Sequence, residues 1–99
     1  MVYIINVMIF VVHLSKTAQK QLQKLPRHIV VKLMAWVEFV NTNGLEEVRK
    51  TPGFHDEPLR GQRTGQRSIR LSRAYRAIYT IKANKIEFVE VLEVNKHEY

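Results

Sequence analysis

A two-residue alternation of polar and apolar side chains runs through most of Ser68-Ile69-Arg70-Leu71-Ser72-Arg73-Ala74-Tyr75-Arg76-Ala77-Ile78-Tyr79-Thr80-Ile81. This period is typical of strands that bury one face and leave the other in solvent. The stretch therefore predicts two neighbouring strands with a tight connection centred on Arg73. A run rich in β-branched residues, 86–94, predicts a third strand after a turn at Asn84-Lys85.

Two amphipathic helices are predicted upstream of these strands. Ser15 is the expected cap of the first helix, whose apolar residues lie three or four positions apart, and Pro26 ends it. Pro26 also suits the first position of a second helix, which ends at Asn43-Gly44. The apolar stripe of this helix consists of Ile29, Leu33, Trp36, Val37 and Val40. Residues 45–53 predict one more helical turn, and residues 58–65 predict a loop.

The segment 2–12 is almost entirely apolar. It is too short to cross a bilayer and has neither a charged leader nor a small-residue cleavage site, so we expect no membrane partner and no secretory signal. We interpret it as a buried strand that ends near His13. Met8 is an alternative start, and we expect residues 1–7 to be a dispensable extension.

The predicted order of elements is therefore β-α-α-β-β-β, in a single α+β domain over residues 1–99. Because the strands are apolar on one face only, we expect two N-terminal helices to cover that face of a small, mostly antiparallel sheet. The other face is expected to stay open.

Composition excludes several classes of function. The 99 residues contain no cysteine, which removes disulfide scaffolds, thiolate zinc sites and thiol nucleophiles. The four histidines are spread along the chain without the close spacing of metal ligands, so no metal or other cofactor is expected. A chain without cysteine also fits a reducing compartment, and we expect a cytoplasmic protein.

The charge of the chain indicates a polyanionic partner. Sixteen Lys and Arg residues against nine Asp and Glu give a formal net charge of +7. The segment 58–86 has no acid and contains eight basic residues: Arg60, Arg63, Arg67, Arg70, Arg73, Arg76, Lys82 and Lys85. Arginine suits two-pronged phosphate contacts, so we interpret the cluster as a nucleic-acid surface. The alternative is a solvated face that only keeps a small protein in solution.

Strand parity predicts where two of these arginines lie. If Ile69 and Ala77 face the helices, Arg70 and Arg76 face away from them and lie directly opposite each other. Two like charges in that position cost stability, which is understandable if an anion binds between them. The alternative is that both arginines are solvated, or that they pair with the glutamates of the third strand, Glu87, Glu90 and Glu93.

Two further clusters are candidates for chemistry. His97, beside Lys96 and Tyr99, follows the last strand and is a candidate proton donor, although a lone terminal histidine is more often solvated. Glu57 lies in the segment 55–59, which is either a polar loop or holds a carboxylate at the rim of the basic face, available as a base.

These residue types match the needs of metal-free RNA cleavage. A base takes the proton of the ribose 2′-hydroxyl, and that oxygen attacks the adjacent phosphorus. Arginines stabilise the charge that grows on the phosphoryl oxygens, and an acid protonates the departing 5′-oxygen. DNA lacks the 2′-hydroxyl, so this chemistry would be restricted to RNA.

Five short motifs occur in an informative order: Leu14-Ser15-Lys16-Thr17-Ala18, Leu22-Gln23-Lys24-Leu25-Pro26, Glu57-Pro58-Leu59-Arg60-Gly61, Arg67-Ser68-Ile69-Arg70-Leu71 and Tyr75-Arg76-Ala77-Ile78-Tyr79. Their order and spacing resemble the bacterial RelE/ParE toxin superfamily, and most of all its RelE and YoeB branches. The resemblance covers almost the whole chain.

The resemblance implies a RelE-like fold with a curved sheet and the toxin half of a type II toxin–antitoxin pair. It implies a ribosome-dependent, metal-independent mRNA endoribonuclease, or mRNA interferase, with a cognate antitoxin, the ribosome and mRNA as partners. By position, Glu57 corresponds to the general base, Arg76 to the arginine that stabilises the transition state, and Arg70 to a phosphate-binding residue. His97 corresponds to the general acid. The expected RNA- or ribosome-binding residues are Arg60, Arg63, Arg67, Arg73, Lys82 and Lys96.

The chain departs from the family pattern at its end. YoeB-like chains finish with adjacent His-Tyr, whereas Glu98 separates His97 from Tyr99 here. Tyr99 remains a catalytic candidate, but its role in stacking or orienting a base is left open. RelE branches lack the carboxylate–histidine pair, which leaves the identity of the base open as well.

Two rival functions remain. The ParE branch shares the fold but poisons DNA gyrase and does not cut RNA; Glu57 and His97 favour the nuclease instead. A non-catalytic RNA-binding module is disfavoured because the aromatic residues suited to base stacking are expected in the core. These residues are Trp36, Tyr75 and Tyr79.

Overall fold

The computed structural model describes residues 8–84 and 86–96, which form helices on one side of a five-stranded sheet. In chain order the elements are β1 Val12–Leu14, α1 Lys16–Leu22, α2 Arg27–Asn43, α3 Leu45–Arg49, β2 Glu57–Pro58, β3 Gln66–Arg70, β4 Tyr75–Asn84 and β5 Ile86–Lys96. Short 3-10 turns cover Pro52–Phe54 and Gly61–Arg63. Predictions for residues 1–7, Lys85 and residues 97–99 lie outside the described residues.

The helices begin and end close to the predicted signals. Ser15 Oγ accepts a hydrogen bond from the backbone N–H of Ala18 at 3.0 Å, which confirms Ser15 as the cap of α1. Pro26 lies one residue before α2, where its fixed φ directs the chain into the helix. α2 ends at Asn43, and Gly44 follows with a φ of 86°, a conformation that favours glycine. The extra helical turn predicted after it is α3.

All five strands belong to one sheet, in the order β1-β5-β4-β3-β2. β1 is parallel to β5, and the other neighbours are antiparallel. The helices and one face of the sheet bury a single core in which Trp36 and Tyr79 are the largest fully buried side chains. The predicted α+β architecture, with helices on one face of a mostly antiparallel sheet, is therefore confirmed.

A β-bulge in β5 keeps that face apolar. Ile78 of β4 is opposite Glu93, whereas the next residue, Tyr79, is opposite Val91, so Leu92 is an extra residue in β5. The extra residue lets Val94 and Val91, three positions apart, both lie buried. Without it, strict alternation would turn an acidic residue of β5 towards the helices.

Two segments differ from their predicted structure. Residues 58–65 were expected to form a loop, but Pro58 pairs with β3 as part of β2 and Gly61–Arg63 is a 3-10 turn. Strand β2 has only two residues, and one of them is a proline, which is rare in strands except at sheet edges. The sequence pattern therefore does not predict this strand. The predicted N-terminal strand is also shorter in the described part of the chain, because it spans only Val12–Leu14.

Candidate active site on the open face of the sheet

Arg70 and Arg76 are direct partners across the antiparallel pair β3–β4, as strand parity predicts. The connection between the strands is tight: the Leu71 N–H donates to the Tyr75 carbonyl at 2.9 Å, and Ser72 Oγ accepts from the Tyr75 N–H at 3.2 Å. The side chains of both arginines are half-buried on the face away from the helices. Two fixed positive charges therefore share one small area of the open face.

Glu57 meets Arg76 from the edge of the sheet. Strand β2 places Glu57 opposite Ser68 of β3. Arg76 Nη1 donates to Glu57 Oε1 at 2.8 Å and to Ser68 Oγ at 2.7 Å. The arginine side chain is 22% exposed and the carboxylate side chain 56% exposed, so the ion pair is open to solvent. The structure thus places Glu57 at the rim of the basic face, and Arg76 pairs with it rather than with a glutamate of β5.

A concave surface of about 700 Å³ surrounds this ion pair. Its lining residues are Glu57, Leu59, Arg63, Ser68, Arg76, Ile78, Asn95 and Lys96. Two guanidinium groups and one ammonium group face a single carboxylate there, beside an apolar area formed by Leu59 and Ile78. A nucleotide has matching parts, because its phosphate is anionic and its base has apolar faces.

Arg70 lies beside this cavity rather than in its lining. It forms no ion pair with any other residue of the described part of the chain. Within the described residues, its charge therefore adds to that of Arg76 without an ion-pair partner of its own. This is the arrangement that an incoming anion would relieve.

Other basic residues from the sequence prediction already have acidic partners. Arg63 lines the cavity, donates to Gln66 Oε1 at 2.9 Å and forms an ion pair with Glu93. Lys82 lies further along β4 and contacts Glu90, with 2.8 Å between Nζ and Oε1. Both residues can contribute positive charge to the open face. In each case the glutamate partner would compete with an incoming anion for the basic side chain.

The remaining predicted binding residues are all exposed, and one of them lines the cavity. Arg60 and Arg73 are exposed, the first after β2 and the second in the β3–β4 connection. Lys96 is exposed at the end of β5 and lines the cavity. The structure thus brings the residue before His97 to the site, while His97 and Tyr99 themselves lie outside the described residues.

Arg67 is located differently from the other predicted binding residues. It faces the helix side of the sheet, where its Nε donates to Asp56 Oδ1 at 2.6 Å. Burial acts to lower the pKa of Arg67, but the hydrogen bond and charge of Asp56 outweigh it and raise the pKa. Arg67 therefore lies on the opposite face of the sheet from Arg70 and Arg76, because alternate residues of β3 point to opposite faces.

Asp56 also accepts a hydrogen bond from Tyr79. The distance from the Tyr79 hydroxyl to Asp56 Oδ2 is 2.5 Å. Burial and the neighbouring Asp56 both raise the pKa of Tyr79 well above the usual value for tyrosine. Tyr79 is therefore a neutral donor, and the Arg67–Asp56–Tyr79 group is held on the side opposite the cavity.

Sequence reasoning did not assign several residues that the structure places at the site. Parity already put Ser68 on the open face, so its contact with Arg76 could have been predicted from the register of β3 with β4. Asn95 lies opposite Arg76 on β5. The bulge shifts the alternation of β5, so counting residues along the strand does not predict the face on which Asn95 lies. Asp56, which lies on the side opposite the cavity, was not assigned either, because a short polar segment before a proline is typical of a loop.

No group of three or more potential metal ligands among His, Cys, Asp and Glu occurs within residues 8–84 and 86–96. None of the helices in the same residues is long and apolar enough to cross a membrane.

Residues 12–98 match the family model described as the ParE toxin of type II toxin–antitoxin systems, parDE. The chain therefore belongs to the RelE/ParE superfamily, and it is a toxin of a type II toxin–antitoxin system. Among curated proteins, none matches the sequence significantly. The family resemblance expected from the short motifs is confirmed.

Several solved structures have a similar fold. The RelBE2 toxin–antitoxin complex of Mycobacterium tuberculosis contains a chain 31% identical to this one, with a TM-score of 0.58 over 89% of this chain and 98% of that chain. The archaeal RelE–RelB complex of Pyrococcus horikoshii gives 24% identity and a TM-score of 0.67 over 90% and 96% of the two chains. The YoeB/ParE toxin of Agrobacterium tumefaciens gives 18% identity and 0.65 over 89% and 99%, which is a similarity of fold.

Proposed function

We propose that this toxin is a ribosome-dependent, metal-independent mRNA endoribonuclease. The observation that carries the proposal is the contact of Glu57 with Arg76, 2.8 Å long, on an open sheet face where Arg70 lies directly opposite Arg76. A carboxylate beside two arginines supplies a proton acceptor and a phosphate site within one small area. The similarity to RelE and YoeB toxins supports the same function.

In the proposed reaction Glu57 takes the proton of the ribose 2′-hydroxyl. The 2′-oxygen then forms a bond to the adjacent phosphorus, and the bond from phosphorus to the 5′-oxygen breaks. Arg76 and Arg70 stabilise the negative charge on the phosphoryl oxygens, and His97 gives a proton to the departing 5′-oxygen. The products are a 2′,3′-cyclic phosphate and a 5′-hydroxyl, so no water is consumed in this step.

Arg76 can hold a phosphate without losing Glu57. A guanidinium has five N–H donors, and the contacts to Glu57 and Ser68 use one nitrogen, Nη1. The remaining donors are available for a phosphoryl oxygen. Binding of the phosphate to Arg76 would therefore bring the reacting nucleotide close to the carboxylate that serves as base.

The other basic residues are proposed to bind the ribosome and the mRNA backbone. Arg60, Arg73 and Lys96 are exposed, and Lys96 lines the cavity, so these residues are proposed to bind phosphates that flank the cleaved bond. Arg63 and Lys82, which form ion pairs with glutamates, are proposed to contribute less to this binding. Arg67 lies on the other face of the sheet and is not included in the proposed surface. A cognate antitoxin would neutralise the toxin by covering the face with acidic residues, and both proteins would meet in the cytoplasm.

The test is incubation of the protein with programmed ribosomes and, separately, with free mRNA, each with and without EDTA. We expect cleavage of ribosome-bound mRNA only, with 2′,3′-cyclic phosphate ends and no effect of EDTA. His97→Ala should reduce the rate, which tests the assignment of the acid. Absence of cleavage in all four mixtures would overturn the nuclease.

Poisoning of DNA gyrase is a second candidate, favoured by the match to the ParE toxin model over residues 12–98. This function predicts gyrase-dependent breaks in supercoiled DNA while mRNA stays intact. It also predicts that Glu57→Gln leaves toxicity unchanged, because gyrase poisoning needs no base at this position. Running the gyrase and ribosome assays on the same preparation decides between the two functions.

A further inference from the structure

The carboxylate of Asp56 is buried and hydrogen-bonded, although Asp56 lies in a short polar segment outside the strands. Its side chain is 1% exposed, and each oxygen accepts one short hydrogen bond, from Arg67 Nε at 2.6 Å and from the Tyr79 hydroxyl at 2.5 Å. Arg67 and Tyr79 are themselves direct partners across β3 and β4. Asp56 is thus anchored to the two strands that also carry Ser68, Arg70 and Arg76.

The backbone next to Asp56 has few other restraints: the Leu59 N–H donates to the Gln66 carbonyl at 2.9 Å, and the His55 N–H donates to the Pro52 carbonyl at 3.1 Å. Strand β2 consists of Glu57 and Pro58, and a proline has no N–H to donate to the ladder. On the other side, His55 has a φ of 45°, a left-handed conformation that is unfavourable for a residue other than glycine. The ladder alone is therefore a weak constraint on where the Glu57 carboxylate lies.

Asp56 and Glu57 point to opposite faces of the sheet because they are consecutive residues of extended chain. Asp56 contacts Arg67 and Tyr79 on the helix side, and Glu57 contacts Arg76 on the open side, 2.8 Å away. Holding the Asp56 side chain in place therefore restricts where the neighbouring Glu57 side chain can lie. The two faces of the sheet are linked through one peptide unit.

We propose that Asp56 is a positioning residue, whose buried contacts with Arg67 and Tyr79 hold the Glu57 carboxylate against Arg76 on the open face. It touches no substrate and acts only through Glu57. The proposal rests on the proposed function where it concerns RNA cleavage. The placement of Glu57 by Asp56 is a separate claim about the free protein.

A double-mutant cycle tests the effect on cleavage. Asp56→Ala should lower kcat about 100-fold, because displacement of a reacting group by about 1 Å can cost that much. In a Glu57→Gln background the same substitution should lower kcat little further, since the base is already absent. Equal losses in both backgrounds would show that Asp56 acts through overall stability and would overturn the proposal.

A matched control separates positioning from stability. Val40→Ala removes buried volume from α2, away from the cavity, and should lower the free energy of unfolding without a selective loss of kcat. Assays are run at a temperature where circular dichroism shows every variant folded. If Asp56→Ala does not fold, Asp56→Asn goes through the same cycle, because it keeps the shape and removes the charge.

Hydrogen exchange of the Arg76 guanidinium, followed by ¹⁵N NMR, tests the placement without any RNA. In the wild-type protein the contacts of Nη1 should slow exchange, and Asp56→Ala should speed it as much as Glu57→Gln does. Unchanged exchange in the Asp56 variant would overturn the proposal. If the wild-type protein cleaves no RNA, the proposed function fails, and the NMR measurement still decides the role of Asp56.

Discussion

Arg70 and Arg76 face each other directly on neighbouring antiparallel strands, so the protein holds two like charges where a pair of opposite charges would be more stable. Arg76 has Glu57 beside it, while Arg70 has no ionic partner among the described residues. The repulsion between the two arginines lowers the free energy of unfolding. We expect it to be relieved only when an anion binds between them. The arrangement therefore predicts opposite effects of one substitution on stability and on activity.

Arg70→Gln should raise the free energy of unfolding by about 0.2–1 kcal/mol, the usual range for cross-strand pairs, because it removes the repulsion from Arg76. The same variant should bind RNA more weakly and cleave it more slowly. Urea unfolding and binding to a short single-stranded RNA measure the two effects. Lys24→Gln, which removes one exposed charge after α1, is the control and should change neither quantity appreciably. A destabilised Arg70→Gln protein would contradict the repulsion argument.

Glu57→Gln should lower the cleavage rate by about 10²–10⁴-fold, the range for loss of a general base. RNA affinity should stay the same or increase, because a negative charge beside Arg76 is removed. The measurement is single-turnover cleavage together with a binding isotherm. Glu93→Gln removes a carboxylate that pairs with Arg63 on the same face and should leave most of the activity. An unchanged rate for Glu57→Gln would eliminate this residue as the base.

Lys96→Gln should weaken binding to RNA or ribosomes more than Lys82→Gln does. Lys96 lines the cavity, whereas Lys82 lies 2.8 Å from Glu90 and would have to give up that partner. Removing one lysine–phosphate interaction should also make the salt dependence of binding shallower, by roughly one unit in the slope of log K against log salt. Affinities measured over a salt series test this, and equal effects of both substitutions would contradict it.

Tyr79→Phe should destabilise the protein at neutral pH by about 1–3 kcal/mol, because Asp56 loses a buried hydrogen-bond donor. The difference from wild type should shrink as the pH rises above 10.0, the ordinary tyrosine pKa. Burial raises the pKa of Tyr79 in the folded protein, so at high pH the hydroxyl ionises in the unfolded chain first, and wild-type stability falls. Urea unfolding of both proteins from neutral to alkaline pH measures this. A constant difference would contradict the assignment.

The sequence allowed the open face to be predicted where periodicity was regular. Alternation in β3 and β4, together with a short connection, was enough to place Arg70 opposite Arg76, because a one-residue error would have buried both charges. The apolar stripe of α2 and the cap at Ser15 were equally local signals. These features depend on neighbours within one turn or one strand pair.

The rest of the site depends on contacts that local patterns do not encode. Glu57 was recognised through a family motif, but its two-residue strand and the anchor at Asp56 arise from tertiary pairing with β3 and β4. The spacing of three between the apolar residues Val91 and Val94 is consistent with a bulge at Leu92. The bulge could be assigned only once the pairing of β5 with β4 was known. The alternation of β3 also predicts that Arg67 lies on the helix side. Grouping the arginines by charge alone does not take this alternation into account.

The place of β5 in the sheet has a consequence for the synthesis of the protein. β5 lies between β1 and β4, and it is the last of the five strands in chain order. β1 therefore has no partner until β5 has left the ribosome that makes it, and the cavity lacks Asn95 and Lys96 until then. A nascent chain therefore has neither the complete sheet nor the complete cavity before β5 is synthesised, so the proposed activity is expected only after that point.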